Sequence, residues 1–168
     1  MEKQLELFDT EFSPEDMLRD FIKTFETPNS TDFWITLVME ELAELEEAIS
    51  LFVNNPTEDN LAEALKEYID LAYVTTGFRV VGGVALLDID QETNERIIAA
   101  FEVIEGILDE RNSSKEHTDM VLEAAFREVH RSNMSKLLED GSVLRREDGK
   151  VLKGPNYSPA DIHSVLYG

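Results

Sequence analysis

The sequence WITLVMEELAELEEAISLF, residues 34–52, has apolar side chains every three or four positions. At about 100° per residue, these form one stripe on a helix: Trp34, Val38, Leu42, Leu45, Ile49 and Phe52. Glu41 falls inside this stripe and Glu44 at its margin, whereas Glu46 and Glu47 fall on the solvated side. An unpaired carboxylate in a core is costly, so the position of Glu41 predicts a proton or a cation beside it.

A second acidic motif lies in KEYIDLAYV, residues 66–74, where Glu67 and Asp70 are one helical turn apart. Two such helices packed antiparallel would direct five carboxylates toward one place: Glu40, Glu41, Glu44, Glu67 and Asp70. Like charges that close repel strongly, so a hard divalent cation or bound protons must lie among them. Because no histidine belongs to the set, oxygen ligation favours Mg²⁺, with Mn²⁺ as a possible substitute, over zinc.

Two other interpretations compete with a metal site of this kind. Acidic helix residues often form a solvated or ion-paired face, and Asp70 could pair with Arg79, although nine residues separate them by more than two turns. A di-iron carboxylate bundle would need a histidine three residues after a glutamate on two helices. The residues three before the histidines are Ser114, Arg127 and Ala160, so that class is excluded.

The chain as a whole predicts one all-α domain over residues 1–168. The hydrophobic content of 42% is sufficient for a core, and the absence of cysteine excludes disulfides and thiolate zinc sites. Capping residues and apolar periodicity predict helices ending near Glu26, Val53, Val81, Arg111 and Leu137, and a short last helix after Asp161. The second of these helices should be capped by Thr31 or Asp32. A small hairpin or ordered loop is expected around residues 141–149, and residues 1–12 as a flexible N-terminal peptide.

The formal net charge of −21 is unevenly distributed. Residues 1–120 hold 29 acidic and 8 basic residues, whereas residues 121–168 hold seven of each. The acidic part argues against binding of long nucleic acid, while the C-terminal part can hold phosphates locally. The apolar run Leu71–Leu87 is short and carries Arg79, so no membrane span is predicted. Without an apolar signal core at the start, we expect a cytoplasmic location, which is the host cytoplasm if the protein is phage-encoded.

Glu-Glu-x-x-Glu, a gap of 22 residues and Glu-x-x-Asp together resemble a known superfamily. It is that of the all-α nucleoside triphosphate pyrophosphohydrolases: MazG, the dimeric dUTPases and phosphoribosyl-ATP pyrophosphohydrolase. In the C-terminal part, EVHRSNMSKL (128–137) and DGKVLKGPNYSPADI (148–162) resemble the MazG-related branch found in bacteria and phages. The same tail differs from that of the histidine-pathway enzyme, which disfavours phosphoribosyl-ATP as substrate.

The resemblance implies a reaction and a set of roles. Members hydrolyse a nucleoside triphosphate to the monophosphate and pyrophosphate with Mg²⁺, in nucleotide-pool sanitation or precursor supply. By resemblance, the principal metal ligands are Glu41, Glu44, Glu67 and Asp70. Glu40 would help to hold a second ion or orient the attacking water, so Glu40 and Glu41 are the predicted catalytic residues. Relatives are homodimers or homotetramers, and a helix over residues 84–111 is an addition to the usual pattern.

The tail also supplies candidate substrate contacts. Three basic residues could meet the phosphates: Arg131, Lys136 and Lys153. Two amides, Asn133 and Asn156, could bind ribose or base edges. Three further residues could lie against the base: Tyr157, Asp32 and Trp34. Four of these residues have a simpler interpretation, since Arg131 could be a helix-surface residue, Lys153 a turn residue, and Tyr157 or Trp34 part of the core.

Two further hypotheses depend on other features. Gln4-Leu5-Glu6-Leu7-Phe8 resembles the short peptide that binds the sliding clamp of bacterial and phage replication, although these side chains could instead pack on the bundle. The alternative to an enzyme is a non-catalytic helical binding or assembly module that keeps a degenerate metal site. The complete set of five acids favours the enzyme.

Overall fold

The computed structural model describes residues 11–168, and within that range it contains seven α-helices and no β-strand. The helices are α1 (Pro14–Phe25), α2 (Thr31–Asn54), α3 (Glu58–Val80), α4 (Ala85–Asp88), α5 (Gln91–Asn112), α6 (Lys115–Met134) and α7 (Ile162–Tyr167). An all-α bundle with a C-terminal hairpin is thereby confirmed. The Gln4–Phe8 peptide lies outside the described residues.

Hydroxyl side chains cap the first three helices, as their sequences indicate. Ser13 Oγ accepts a hydrogen bond from Asp16 N at 3.2 Å, and Thr57 Oγ1 accepts one from Asn60 N at 3.2 Å. The cap of α2 is Ser30, whose Oγ accepts from Phe33 N at 3.4 Å. The expected cap at Thr31 or Asp32 was therefore wrong by one or two residues, because three consecutive polar residues offered equivalent caps.

Two other boundaries differ from those predicted. Helix α6 ends at Met134, three residues before the predicted end, because residues 135–137 form turns rather than a further helical turn. The four-residue helix α4 was not predicted. It is closed by the carboxylate of Asp88, which accepts a hydrogen bond from Val84 N at 2.7 Å, a local contact that apolar periodicity does not reveal.

The antiparallel pair α2 and α3 forms the centre of the bundle, and a glycine sets how closely the two helices pack. A Cβ atom at Gly77 would lie only 2.3 Å from Cζ3 of Trp34, so the indole ring lies directly against the backbone of α3. Trp34 is 1% exposed and donates a hydrogen bond from Nε1 to the Pro28 carbonyl at 3.2 Å. These contacts fix the register in which α2 runs past α3.

The remaining long helices pack around this pair. Helix α6 lies against α3, where the Tyr73 and Phe126 rings are 5.4 Å apart and a 2.8 Å hydrogen bond joins Tyr73 Oη to His130 Nδ1. Helix α5 is tied to α3 by the hydroxyl of Tyr68, which donates to Glu105 at 3.1 Å. No helix in residues 11–168 is long and apolar enough to span a membrane.

After α6 the chain forms a hairpin over residues 144–152, which we call the C-terminal hairpin. Leu152 N donates to Leu144 O at 2.8 Å, and Arg146 N donates to Lys150 O at 2.7 Å. The turn depends on Gly149, whose φ of +99° is strained for other residues. This hairpin covers one side of an opening between α2, α3 and α6.

Candidate active site

Three carboxylates converge where α2 passes α3. One oxygen from each of Glu41, Glu67 and Asp70 lies within 4.8 Å of the others. The antiparallel register explains this, because Glu41 and Trp34 are seven residues apart on α2, as are Asp70 and Gly77 on α3. Trp34 contacts Gly77, so Glu41 lies level with Asp70, and Glu67 follows one turn away.

Two oxygens of this cluster are buried without a partner. Glu41 Oε2 and Glu67 Oε2 make no hydrogen bond to any residue in the described part of the chain. Leaving a carboxylate oxygen both desolvated and unpaired costs free energy. An all-oxygen set of converging carboxylates is the donor chemistry that Mg²⁺ and Mn²⁺ prefer, so these residues fit a hard divalent cation.

Without a cation, the cluster holds protons more tightly than ordinary carboxylates do. Burial, together with the charges of Asp70 and Glu44, raises the pKa of Glu41 to about 8. Burial and the charge of Asp70 likewise raise the pKa of Glu67 to about 8. Burial also raises the pKa of Asp70. A bound cation would therefore have to displace protons from this site.

A lysine that the sequence analysis missed already contacts two of the three acids. Lys66 Nζ lies 3.2 Å from Glu67 Oε1 and 3.1 Å from Asp70 Oδ2. Burial lowers the pKa of Lys66, but the charges of Asp70 and Glu67 outweigh it, so its pKa lies above the ordinary value. The signal was present in the sequence as the i, i+4 spacing of Lys66 and Asp70.

The other two predicted ligands lie at different places. Glu44 is exposed at the edge of the cavity described below. Both oxygens of Glu40 bind cations of the C-terminal hairpin, Arg146 at 2.8 Å and Lys150 at 2.8 Å. Partial burial raises the pKa of Glu40, but the hydrogen bonds from Lys150 and Arg146 lower it further, to below its usual value. A metal role for Glu40 and Glu44 stays a prediction.

The cluster opens into a cavity of about 470 Å³ whose two ends differ in chemistry. Charged side chains line one end: Glu41, Glu44, Lys66, Asp70, Lys136, Lys150 and Lys153. Aromatic and aliphatic side chains line the other: Phe21, Phe33, Trp34, Leu37, Tyr73 and Val74. The two helices impose this order. Trp34 lies about 10 Å from Glu41 along the axis of α2. Because α3 runs antiparallel to α2, the residues that follow Asp70 on α3 lie in the same direction from the cluster as Trp34 does.

The predicted substrate residues divide into two groups. Five of them line the cavity: Trp34, Asn133, Lys136, Lys153 and Tyr157. Burial lowers the pKa of Lys136 to about 8, and the Lys153 ammonium lies 4.9 Å from the centre of the Tyr157 ring. Trp34 is thus both a core residue and a wall of the cavity.

The other three lie outside the cavity lining. Arg131 NH2 donates to Glu128 at 2.6 Å and to the Pro159 carbonyl at 3.0 Å, so this guanidinium fastens the tail to α6. Asp32 is exposed in the first turn of α2, and Asn156 is exposed in a shallow depression of the tail. Substrate binding by these three residues stays a prediction that the geometry does not support.

Several lining residues had no signal in the sequence. Lys150 reaches the charged end only because the C-terminal hairpin folds back over α2. Thr27 lies in the α1–α2 loop, and its hydroxyl is buried without a partner in residues 11–168. Both depend on long-range packing of loops, which helical periodicity does not predict.

The fold and the site define the class of protein: an all-α bundle with a carboxylate cluster at a cavity of about 470 Å³ that four lysines also line. Residues 18–97 match the family model of phosphoribosyl-ATP pyrophosphohydrolase, and this segment includes α2 and α3 with every acid of the cluster. This segment is thus similar to a family of pyrophosphohydrolases in the MazG-like all-α nucleoside triphosphate pyrophosphohydrolase superfamily. No curated protein and no solved structure matches the chain.

Proposed function

We propose that this protein hydrolyses a ribo- or deoxynucleoside triphosphate to the monophosphate and pyrophosphate in a Mg²⁺-dependent reaction. The observation that carries the proposal is the two-ended cavity. Carboxylates and lysines at one end suit cations and phosphates, and the aromatic end suits a base and sugar. The family match supports pyrophosphohydrolase chemistry.

In the proposed reaction, a water oxygen forms a bond to one of the two phosphorus atoms of the α–β bridge as the bond from that phosphorus to the bridging oxygen breaks. The other phosphate group leaves with the bridging oxygen, and a proton of the water passes to solvent. Glu41, Glu67 and Asp70 would hold Mg²⁺, or Mn²⁺ in its place, with Glu44 at the edge of the site. When bound, the cation supplies charge neutralisation at the phosphates and lowers the pKa of a coordinated water. Lys136, Lys150 and Lys153 would bind phosphate oxygens by charge-assisted hydrogen bonds.

The aromatic end of the cavity would orient the rest of the substrate. Trp34 is held by its hydrogen bond to Pro28 O and by contact with Gly77, so it offers a fixed wall. Asn133 on α6 also lines the cavity, where its amide would bind sugar or base. A substrate positioned at both ends has its phosphates aligned with the carboxylate cluster.

Location and assembly follow the same proposal. We infer a role in nucleotide-pool sanitation or precursor supply in the cytoplasm, as a homodimer or homotetramer. Leu86 and Leu87 on α4 are 87% and 81% exposed, which supports association through this part of the chain.

A specific observation favours each of two alternatives. Lys66 already neutralises two of the three acids, which is what a non-catalytic module with a degenerate metal site would show. The family match favours phosphoribosyl-ATP as a second candidate substrate, although the matched segment ends before α6 and the tail that line the cavity.

A turnover screen separates these alternatives. The protein is incubated with Mg²⁺ or Mn²⁺ and all canonical ribo- and deoxynucleoside triphosphates, several modified ones and phosphoribosyl-ATP, and product masses are recorded. We expect a monophosphate and pyrophosphate, and no product from Glu41→Gln. Turnover of phosphoribosyl-ATP alone would transfer the assignment to that substrate. Intact substrate across the whole panel would favour the non-catalytic module.

A further inference from the structure

We propose that Glu40 is a positioning residue that anchors the C-terminal hairpin over the cavity. The carboxylate lies on α2, one position before Glu41, but is not one of the three that converge in the cluster. Its Oε1 binds Arg146 and its Oε2 binds Lys150, each at 2.8 Å. Both oxygens are therefore used by the hairpin rather than by the carboxylate cluster.

The anchor is part of a network that shapes the whole hairpin. Arg146 also binds Asp148, at 2.7 Å through NH2 and at 2.9 Å through Nε, so its guanidinium is held from two sides. Asp148 Oδ1 accepts a further hydrogen bond from Lys150 N at 3.2 Å. Asp148 thereby holds the guanidinium of Arg146 and the backbone of Lys150, the two residues whose cations bind Glu40.

Two further contacts hold the hairpin against the rest of the bundle. Arg145 donates a hydrogen bond from its guanidinium to the Phe25 carbonyl at the end of α1. Gly149 approaches Pro28 so closely that a Cβ atom would lie 2.8 Å from Cγ of the proline. On α2, Glu40 is the acidic residue that binds the cations of the hairpin, and its side chain is only 31% exposed.

The position of the hairpin matters because the hairpin and the residue after it complete the cavity. Lys150, Val151, Leu152 and Lys153 all line it, and Val151 is 5% exposed within the core. Loss of the anchor would leave the carboxylate cluster intact but would remove two lysines and an apolar wall from the cavity. Glu40 would thus act on substrate binding through the hairpin, and this part of the inference depends on the proposed function.

Trypsin offers a direct test, because the hairpin contains Arg145, Arg146 and Lys150. The intact, metal-free protein is digested briefly, and cleavage within residues 144–152 is quantified by mass spectrometry. We expect Glu40→Gln to raise the cleavage rate about tenfold, since two charge-assisted contacts are lost. Glu47→Gln, the same change at an exposed site on α2, should leave the rate unchanged. Asp148→Asn, on the hairpin surface, should raise it without threatening the core.

Cation binding and kinetics complete the test. We expect Glu40→Gln to bind Mg²⁺ as the unaltered protein does, whereas Glu41→Gln loses binding but keeps the hairpin protected from trypsin. In turnover, Glu40→Gln should raise KM about tenfold and change kcat less than twofold. An unchanged cleavage rate in Glu40→Gln would overturn the proposal, and so would a tenfold loss of Mg²⁺ affinity in the same variant. The cleavage and Mg²⁺ measurements decide the anchor even if no triphosphate is hydrolysed.

Discussion

Lys66 Nζ lies 3.1 Å from Asp70 Oδ2, one helical turn along α3, at the carboxylate cluster that would bind a divalent cation. The same ammonium contacts Glu67 at 3.2 Å. An internal cation of this kind both stabilises the cluster when no metal is present and competes with a metal for its ligands. If the cluster binds Mg²⁺ as proposed, Lys66 would therefore set the affinity together with the acids.

Removal of this internal cation should strengthen metal binding. We expect Lys66→Met to lower the Kd for Mg²⁺ about tenfold, which corresponds to about 1.4 kcal/mol, because the metal no longer displaces an ammonium. Isothermal titration calorimetry measures the change. Lys136→Met is the matched control, since Lys136 lines the same cavity but makes no salt bridge among the described residues. Equal gains in both variants would mean that net charge alone, not direct competition, governs the affinity.

The stability of the metal-free protein should fall as pH rises from 5 to 8. The pKa values of Glu41 and Glu67 are raised from ordinary values to about 8. Below the unfolded-state pKa the folded and unfolded chains are both protonated, and this stability is fully present. Between the unfolded-state pKa and pH 8, the unfolded chain has released these protons while the folded chain still binds them. The free energy of unfolding therefore falls as pH rises through this window.

Urea unfolding in EDTA at several pH values measures this effect. The difference between the unaltered protein and the Glu41→Gln/Glu67→Gln variant should change by on the order of 2 kcal/mol across this window. Taking the difference between the two proteins cancels the contribution of His130 to the pH dependence. Burial lowers the pKa of His130, so near the usual pKa of histidine this contribution has the opposite sign. Lys136, with a pKa lowered to about 8, contributes above that pH. A difference that does not vary with pH would show that the two glutamates are not coupled to folding.

The contact between Trp34 and Gly77 should be intolerant of any side chain on α3. We expect Gly77→Ala to destabilise the protein by about 3 kcal/mol, because the added methyl group would overlap the indole ring and separate α2 from α3. Gly106→Ala is a matched control, since the Gly106 Cβ direction on α5 is open. The control should be neutral or stabilise by about 0.5 kcal/mol through helix propensity. Similar unfolding midpoints in urea for the two variants would contradict the close packing.

Two basic residues near the end of α6, one in the helix and one in the turn after it, should differ in their effects on substrate binding. Lys136 lines the cavity, whereas Arg131 is held by Glu128 and the tail. We expect Lys136→Met to raise KM for the triphosphate by at least tenfold, because a buried phosphate contact is lost. Arg131→Met should change KM less than threefold and lower stability by about 1 kcal/mol. Initial rates over a range of substrate concentrations test this, and the reverse order would place the phosphates outside the cavity.

The helical fold was predictable because its signals are local. Apolar stripes and hydroxyl caps identified the long helices, and the position of Glu41 inside an apolar stripe indicated a carboxylate in the core. The position of Glu41 level with Asp70 also follows from the antiparallel packing of the two helices. The four-residue helix α4 was missed because it depends on one side-chain contact, that of Asp88 with Val84 N.

The parts of the site that were not predictable depend on distant segments of the chain. Lys150 reaches the cavity because Glu40, 110 residues earlier, binds it. The sequence predicted that Glu40 lies on a helix, but it did not show which distant segment would fold back onto that helix. The sequence also placed Arg131 with the phosphate-binding candidates, since a motif cannot show that Glu128 and Pro159 already use the guanidinium.

The most direct measurement is an anomalous difference map from crystals soaked in Mn²⁺. A divalent ion among acids of α2 and α3 is the claim on which the proposed chemistry depends. We expect one peak coordinated by Glu41, Glu67 and Asp70, and its loss in Glu67→Gln crystals soaked identically. A saturating soak that leaves this position without a peak, or an undiminished peak in Glu67→Gln, would contradict the account.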